Sequence, residues 1–146
     1  MTIYFYSESE KPYGCFSNFS PHGFKLDELW WATSEHYFQA QKFAGTEHVE
    51  VIRLAKTPGD AANMGRSRDR PLRPDWESIK EDVMQQGLLC KFKTHQDLGK
   101  ILLSTGDKLI VEKADHDYYW GCGADGSGKN RLGEILMKVR AILRHG

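Results

Sequence analysis

The sequence predicts a single helix-rich α+β domain over residues 1–146, with a few short N-terminal strands and a C-terminal amphipathic helix. Three observations predict it. The 146 residues are 40% hydrophobic and 12% aromatic, which is enough to build one core. Short segments rich in β-branched and aromatic residues lie before Thr33, and helical patterns dominate after it. The last helix carries the clearest apolar stripe of the chain.

The N-terminal segments are typical of β-strands. TIYFY, residues 2–6, combines β-branched and aromatic side chains, and the following KPYG favours a turn. GFKLDELWW, residues 23–31, alternates enough to predict a hairpin with its turn at Leu26 to Glu28. A later segment, KLIVE at 108–112, predicts one more short strand.

Two helices carry N-terminal signals. Thr33 is a good N-cap for TSEHYFQAQKF, residues 33–43, and Glu35 lies in the first turn, where the helix dipole favours a carboxylate. TPGDAANMG, residues 57–65, has a threonine N-cap and a proline at the first helical position, with Gly65 expected to end the helix.

Three further helices complete the predicted order. A long one begins near Asp75, although Gly87 weakens its middle. HQDLGKILLST, residues 95–105, predicts a helix that Gly106 stops. The apolar stripe of the last helix consists of Leu132, Ile135, Leu136, Val139, Ile142 and Leu143.

Charge and cysteine content exclude several classes of protein. Twenty basic and 20 acidic side chains leave no net field to recruit nucleic acid or an anionic membrane. No apolar run approaches the roughly 20 residues of a membrane span, and the N-terminus does not resemble a signal peptide, so we expect a cytoplasmic protein. Three cysteines without a C-x-x-C pair indicate reduced thiols. The histidine spacing fits no zinc site, so we expect no metal and no cofactor.

WGCGADGSGKNRLG, residues 120–133, matches two nucleotide-binding patterns without their context. Its G-x-G-x-x-G lies too close to the C-terminus for a dinucleotide fold, and its G-x-x-x-x-G-K is followed by Asn130 instead of serine or threonine. A simpler reading is a loop that offers free backbone N–H groups to an anion or a hydroxyl-rich ligand, with Asn130 as N-cap of the last helix. A plain chain-reversing turn is the alternative.

The segment GRSRDRPLRPDW, residues 65–76, is rich in arginine. Arginine's planar fork suits phosphate, so we expect at least one phosphate group on the ligand. Exposed charge runs are common, and a solvated loop is the alternative. The four arginines, too few for a nucleic-acid track, are Arg66, Arg68, Arg70 and Arg73.

Four blocks of the sequence together resemble the NADAR family, the YbiA-like N-glycosidases. They are FSNFS, WWATSEHYFQAQKF, MGRSRDRPLRPDWESIKEDVM and YYWGCGADGSGKNRLGEILMKVR. They occur in the family's order and cover nearly the whole chain. The resemblance implies a compact helix-rich α+β fold and hydrolysis of N-glycosidic bonds. Ala32 departs from the family, which often has proline there, without removing a chemical group.

The resemblance also implies site residues. It matches Glu35 and Lys42 to polar positions of the family, and we hypothesise that they form a catalytic pair, with Asp125 as a reserve carboxylate. Glu35 would move protons, and Lys42 would attack the opened ribosylamine to form a Schiff base. The alternative for this helix is an ordinary solvated face. The substrate-binding candidates are Ser17, Asn18, Arg66, Trp76, Trp120, Gly121, Gly123 and Asn130.

Three functions stay open at this point. By resemblance, the first is hydrolysis of phosphorylated ribosylamino-pyrimidine intermediates of riboflavin synthesis. The second is removal of ADP-ribose from modified guanine, with nucleic acid involved only as the carrier of that modification. The third is a binding module for ADP-ribose or a nucleotide that cleaves nothing. No protein partner can be inferred, and the expected partner is a small molecule.

Overall fold

The structure, a computed structural model, describes residues 1–146 and contains four strands and six helices. The strands are β1 (Thr2–Phe5), β2 (Phe24–Leu26), β3 (Leu29–Trp31) and β4 (Leu109–Glu112). The helices are α1 (Ser34–Gln41), α2 (His48–Arg53), α3 (Pro58–Arg66), α4 (Trp76–Thr94), α5 (Gln96–Ser104) and α6 (Arg131–His145). No helix combines the length and the apolar character that a membrane crossing needs.

The first and last strands form a parallel pair. Thr2 of β1 pairs with Leu109 of β4, and the register continues to Phe5 opposite Glu112. Both strands therefore end at the same edge, and the segments that follow them leave side by side. The sequence predicted each strand but not this pairing, because the two strands lie more than a hundred residues apart in the chain.

β2 and β3 form the predicted hairpin, with a shorter turn. Leu26 pairs with Leu29, so the turn consists of Asp27 and Glu28 alone. Their φ angles are 55° and 67°, as in a two-residue turn that matches the twist of the strands. Leu26 is thus the last residue of β2, and not part of the turn as predicted.

Helix starts follow the predicted signals closely. Thr33 Oγ1 accepts a hydrogen bond of 3.1 Å from the backbone N–H of His36, and Thr57 Oγ1 accepts one of 3.0 Å from Asp60. Both side chains satisfy N–H groups that a helix start leaves without a partner. Gly65 does not end α3, which continues to Arg66.

The core is one cluster of 24 buried hydrophobic residues to which every part of the chain contributes. α4 crosses its centre, and Gly87 does not break this helix. A Cβ at position 87 would lie 2.9 Å from the ring of Tyr37, so the glycine lets α1 approach α4 closely. The first four residues of the predicted α6 stripe are buried, and Ile142 and Leu143 are partly buried.

Candidate active site

A cavity of about 410 Å³ opens where β1 and β4 end, beside α1 and α3. Tyr6 follows the end of β1, and Glu112 is the last residue of β4. The cavity therefore lies at the sheet edge where both parallel strands end. Its lining residues are Tyr6, Asn18, Phe19, Glu35, Phe38, Gln39, Lys42, Arg66, Met84, Glu112, Ala114, His116, Asp117, Trp120 and Leu132.

Glu35 enters the cavity from the first turn of α1. Its backbone N–H donates to the carbonyl of Asn18 at 3.1 Å, which ties the helix start to the segment between β1 and β2. The side chain is only 7% exposed, and its Oε2 accepts a hydrogen bond of 2.7 Å from Gln39 Nε2. Burial raises the pKa of the Glu35 carboxyl, while the Gln39 bond and the charges of Arg66 and Lys42 oppose the rise.

Lys42 follows the last residue of α1 and reaches the same cavity. It is 7% exposed, and its Nζ donates to the carbonyl of Gly65 at 3.4 Å. The ammonium lies 5.9 Å from the ring centroids of both Phe38 and Trp76. Burial lowers the pKa of Lys42 to about 8, and the charge of Arg68 lowers it further while Glu35 opposes the change. A pKa of about 8 leaves roughly a tenth of the amine neutral at pH 7, far more than for a lysine in water.

Two acidic residues that the sequence reasoning did not select also line the cavity. Burial raises the pKa of Glu112 to about 7, with contributions from the charges of Asp117 and Glu35. Asp117 Oδ1 accepts backbone N–H bonds from Tyr119 at 2.9 Å and Trp120 at 2.7 Å. Asp117 is thus engaged in holding the backbone, whereas Glu112 makes no side-chain hydrogen bond.

Of the two polar residues predicted before β2, only one faces the cavity. Asn18 lines it, with Oδ1 accepting from Ser34 Oγ at 2.8 Å. Ser17 does not line it: its Oγ accepts from the N–H of Phe19 at 3.1 Å and its carbonyl accepts from Lys91 Nζ at 3.0 Å. Ser17 therefore makes a local turn instead of lining the cavity, and Asn18 faces the ligand space.

The arginine segment contributes one residue to the lining, Arg66. Arg68 lies beside it and donates to the Gly65 carbonyl at 3.2 Å. Neither forms an ion pair with a carboxylate, whereas Arg73 pairs with Asp75 at 2.7 Å. Two guanidinium groups are consequently available for an anionic part of a ligand at this end of the cavity.

Trp120 is the part of the glycine-rich segment that reaches the cavity. Its ring stands edge-on to Phe38, with ring centroids 5.4 Å apart. Trp76 also packs against Phe38, with ring centroids 5.1 Å apart, and its ring lies 5.9 Å from Lys42 Nζ, but it does not line the cavity. Both Phe38 and Trp76 are buried.

The backbone N–H groups of residues 128–132 in the glycine-rich segment are not free. They donate to the carbonyls of residues 118–122 at 2.7–3.0 Å. The prediction that these N–H groups receive an anion is therefore wrong for residues 128–132, and this part of the segment is closer to the alternative, a turn that reverses the chain. Gly121 and Gly123 do not line the cavity, and Asp125 lies in the exposed part of this loop, where Oδ1 accepts from Ser127 Oγ at 2.7 Å.

Asn130 has a different role from the predicted N-cap. It stands before α6 with φ 52°, and its side chain makes no capping bond. Instead, Oδ1 accepts from the N–H of Glu112 at 2.9 Å and Nδ2 donates to the carbonyl of Ile110 at 2.8 Å. Asn130 thus fixes the end of β4, and with it the backbone of Glu112.

Comparison with known proteins identifies the family. The model of the NADAR domain matches residues 4–144. The chain belongs to the NADAR family. It is 51% identical to N-glycosidase Npun_R5314 of Nostoc punctiforme over 148 residues, which cover 99% of this chain and 94% of that protein. It is also 51% identical to N-glycosidase YbiA of Escherichia coli over 141 residues, covering 97% and 88%.

Two further matches widen the comparison. The NMR structure of Escherichia coli YbiA matches this NADAR chain with a TM-score of 0.91 at 49% identity, over 99% of this chain and 86% of that one. This match confirms the predicted α+β fold class. The riboflavin biosynthesis protein PYRR of Zea mays is 44% identical over 144 residues, which cover 88% of this chain but 23% of that longer protein.

The residues that sequence reasoning missed in this NADAR domain carry a weak local signal. Glu112 ends the apolar strand KLIVE, and Asp117 follows it within the short acidic stretch ADHD. A carboxylate at the end of a buried strand indicates a functional site only when it is known which other side chains lie beside it in the fold. No group of three or more His, Cys, Asp or Glu side chains is arranged to hold a metal ion.

Proposed function

We propose that this protein is an N-glycosidase that hydrolyses the C1–N bond of a phosphorylated ribosylamino-pyrimidine intermediate of riboflavin biosynthesis. One observation carries the proposal: the Glu35 carboxyl and the Lys42 amine, both buried, open into one cavity beside Trp120. The names of the relatives, N-glycosidases and a riboflavin biosynthesis protein, support it. A cytoplasmic location stays a prediction from the sequence.

Cleavage of a ribose C1–N bond needs a proton for the departing nitrogen and stabilisation of the positive charge that develops at C1. A carboxyl with a raised pKa is a proton donor near neutral pH. Glu35 and Glu112 are two such groups in one cavity. We assign the proton transfers to these two carboxyls, and Glu112 takes the reserve role that the sequence had suggested for Asp125.

Lys42 offers a covalent route. In a ribosylamine, the nitrogen lone pair can open the ring: the C1–O4′ bond breaks, O4′ takes a proton from the Glu112 carboxyl, and a protonated C1=N imine forms. Neutral Lys42 Nζ then adds to C1, and one proton moves from Nζ to the departing nitrogen through Glu35. The C1–N bond breaks as the free amine leaves and a protonated C1=Nζ Schiff base forms. Water adds to the remaining C1=Nζ Schiff base, and release of Lys42 yields ribose phosphate in its aldehyde form.

The rest of the cavity suits such a substrate. The Trp120 ring can pack against a pyrimidine, and Asn18, which also lines the cavity, can bind ribose hydroxyls. Arg66 and Arg68, which lack carboxylate partners, can bind the phosphate in a bidentate manner. Positive charge at that end also favours the neutral amine of Lys42, because a nearby cation disfavours its protonation.

Removal of ADP-ribose from modified guanine is the second candidate, and one observation favours it. A groove of about 370 Å³ adjoins the cavity and shares Tyr6 and His116 with it. Tyr4 and Tyr6 are both more than half exposed there, and Lys113 Nζ lies 5.2 Å from the Tyr4 ring. A substrate longer than a ribose phosphate could extend into this groove.

Incubation of the purified protein with both kinds of substrate tests the proposal. We expect release of ribose phosphate and a free aminopyrimidine from the first, measured by chromatography and mass spectrometry. Release of ADP-ribose from modified guanine alone would favour the second candidate. Tight binding of either compound without turnover would instead support a binding module.

Variants assign the roles in the same assay. Glu35→Gln and Lys42→Ala are each expected to lose about 100-fold or more in kcat. Glu134→Gln and Lys100→Ala replace exposed residues that do not line the cavity and serve as matched controls with unchanged rates. Full turnover in both cavity variants would end the assignment of Glu35 and Lys42.

A further inference from the structure

We propose that Gly65 is a positioning residue: because it has no side chain, the carboxamide of Gln39 can lie against the carboxylate of Glu35. This inference rests on the proposed function for its catalytic consequence. It concerns a residue of α3 that does not line the cavity and that the sequence indicated only as a helix terminator.

The contact between α1 and α3 leaves no room at position 65. A Cβ there would lie 2.0 Å from Gln39 Oε1, 2.7 Å from its Cδ and 2.9 Å from its Cβ. These contacts are too short for real atoms, so a side chain at position 65 would displace the Gln39 carboxamide. Position 65 is buried and helical, where alanine is ordinarily the better helix former, so the glycine needs a steric explanation.

The position of the Gln39 carboxamide matters because of what it contacts. Its Nε2 donates to Glu35 Oε2 at 2.7 Å, the only side-chain hydrogen bond that the carboxylate receives. Its Oε1 is buried and has no hydrogen-bond partner. No bond on the Oε1 side holds the amide, so the packing of α3 against it fixes its orientation toward Glu35.

Gly65 also contacts the other member of the pair. Its carbonyl, near the C-terminal end of α3, accepts from Lys42 Nζ at 3.4 Å and from Arg68 Nη1 at 3.2 Å. The end of a helix carries partial negative charge, which suits both cations. Gly65 therefore affects both members of the pair. Its missing side chain leaves room for the Gln39 amide that donates to Glu35, and its carbonyl accepts from Lys42.

The consequence is a change in proton affinity. The Gln39 bond stabilises the ionised form of Glu35 against the effect of burial. Displacing the carboxamide would remove that support, so Gly65→Ala should raise the pKa of Glu35 by about one unit or more. Gln39→Ala should raise it by a similar amount, because both changes break the same bond.

The experiment is a titration of Glu35 by ¹³C NMR on protein labelled at glutamate carboxyls, with Glu35→Gln used to assign the signal. The variants are Gly65→Ala, Gln39→Ala, their combination, and Gly59→Ala as control. Gly59 lies in the same helix, and its Cβ would meet only Thr57 Oγ1 at 3.7 Å. We expect the pKa of Glu35 to be unchanged in Gly59→Ala and to rise by similar amounts in Gly65→Ala and Gln39→Ala. In the combined variant it should rise no further than in Gln39→Ala.

Three outcomes would overturn the inference. If the pKa of Glu35 is unchanged in Gly65→Ala, position 65 does not act on Glu35 through Gln39. If the pKa rise in the combined variant equals the sum of the rises in the two single variants, the two residues act on Glu35 independently. If Gly65→Ala fails to fold, the combination should be clearly more stable, because the contacts of 2.0 and 2.7 Å with the carboxamide are gone and only the 2.9 Å contact with the Gln39 Cβ remains. A combination no more stable than Gly65→Ala would mean that the carboxamide is not the obstacle.

The titration needs no substrate, so it separates this inference from the proposed function. If the protein cleaves no N-glycosidic bond but the titration behaves as expected, the proposed function fails and the positioning role of Gly65 holds. In an active enzyme, Gly65→Ala should move the acidic limb of the rate profile upward by the same amount as the NMR titration. A fall in rate with an unshifted profile would indicate a merely structural role.

Discussion

Burial moves the proton affinities of Glu35 and Lys42 toward each other. In water these groups titrate about six units apart, and at neutral pH both would be fully charged. In the cavity, burial raises the pKa of the carboxyl and lowers that of the amine to about 8. Proton exchange between them, or with a substrate nitrogen, then costs less free energy than it would in water.

Glu112 offers a test of the acid–base assignment at the same scale. Its pKa of about 7 means that Glu112→Gln removes a group that titrates near neutrality. We expect kcat to fall by about 100-fold or more and the limb near pH 7 to vanish from the rate profile. Glu134→Gln is the matched control, and a profile that keeps this limb in Glu112→Gln would assign the limb to another group.

At this scale the family resemblance selected Glu35 and Lys42 before the structure was known. They lie at the two ends of a helix whose N-cap the sequence predicted, but the helix pattern alone was also compatible with an ordinary solvated face. Glu112 and Asp117 could not be selected, because their approach to Glu35 depends on the parallel pairing of β1 with β4. A strand pattern does not specify its partner strand.

Among the elements, the glycine-rich segment before α6 differs most from expectation. Its residues form a ladder of backbone bonds with the preceding segment, so its glycines serve close packing and not anion binding. A Cβ at Gly133 would lie 2.1 Å from the carbonyl of Ile110, which shows how tightly α6 meets β4. Glycine patterns alone do not distinguish these two roles.

Asn130 allows a prediction about this junction. Asn130→Gly keeps the left-handed backbone but removes two hydrogen bonds to β4, so we expect a loss of about 2 kcal/mol in the free energy of unfolding. Asn130→Ala should be less stable still, because alanine disfavours positive φ. Urea denaturation measures both. Equal or greater stability of the alanine variant would contradict the role given to the backbone conformation.

Five of the six helices were predictable because their signals are local, and only the short α2 was not predicted. Thr33 and Thr57 cap α1 and α3 as expected, and the apolar stripe of α6 faces the core. Gly65 and Gly87 were misjudged for a common reason: both permit close contact between helices, with Gln39 and with Tyr37. Such contacts depend on tertiary packing, which a pattern within one segment does not contain.

On the scale of the whole molecule, the buried Lys91 of α4 stands out. It is fully buried, and burial lowers its pKa to about 7. Its Nζ donates to the carbonyl of Ser17, which also accepts from the N–H of Ser20 at 3.1 Å. Between about pH 7 and 10.5 the unfolded chain holds this proton and the folded protein releases it, so stability rises with pH across that window.

Lys91→Met is therefore expected to stabilise the protein at pH 7 by a few kcal/mol, since it removes a buried amine and leaves the Ser17 carbonyl its second partner. Its stability should also lose the rise between pH 7 and 10.5. Urea denaturation across that range measures both effects. Lys93→Met, an exposed position on the same helix, is the control. A destabilised Lys91→Met would show that the lysine stabilises the fold.

The central claim, that Glu35 and Lys42 act together on C1 of a ribosylamine, is tested most directly by reductive trapping. Borohydride added during turnover should reduce the Schiff base and leave a ribose phosphate adduct, which peptide mass spectrometry locates on Lys42. Lys42→Arg keeps the positive charge and should give no adduct. Turnover without any adduct on Lys42, or an adduct on another lysine, would contradict the account.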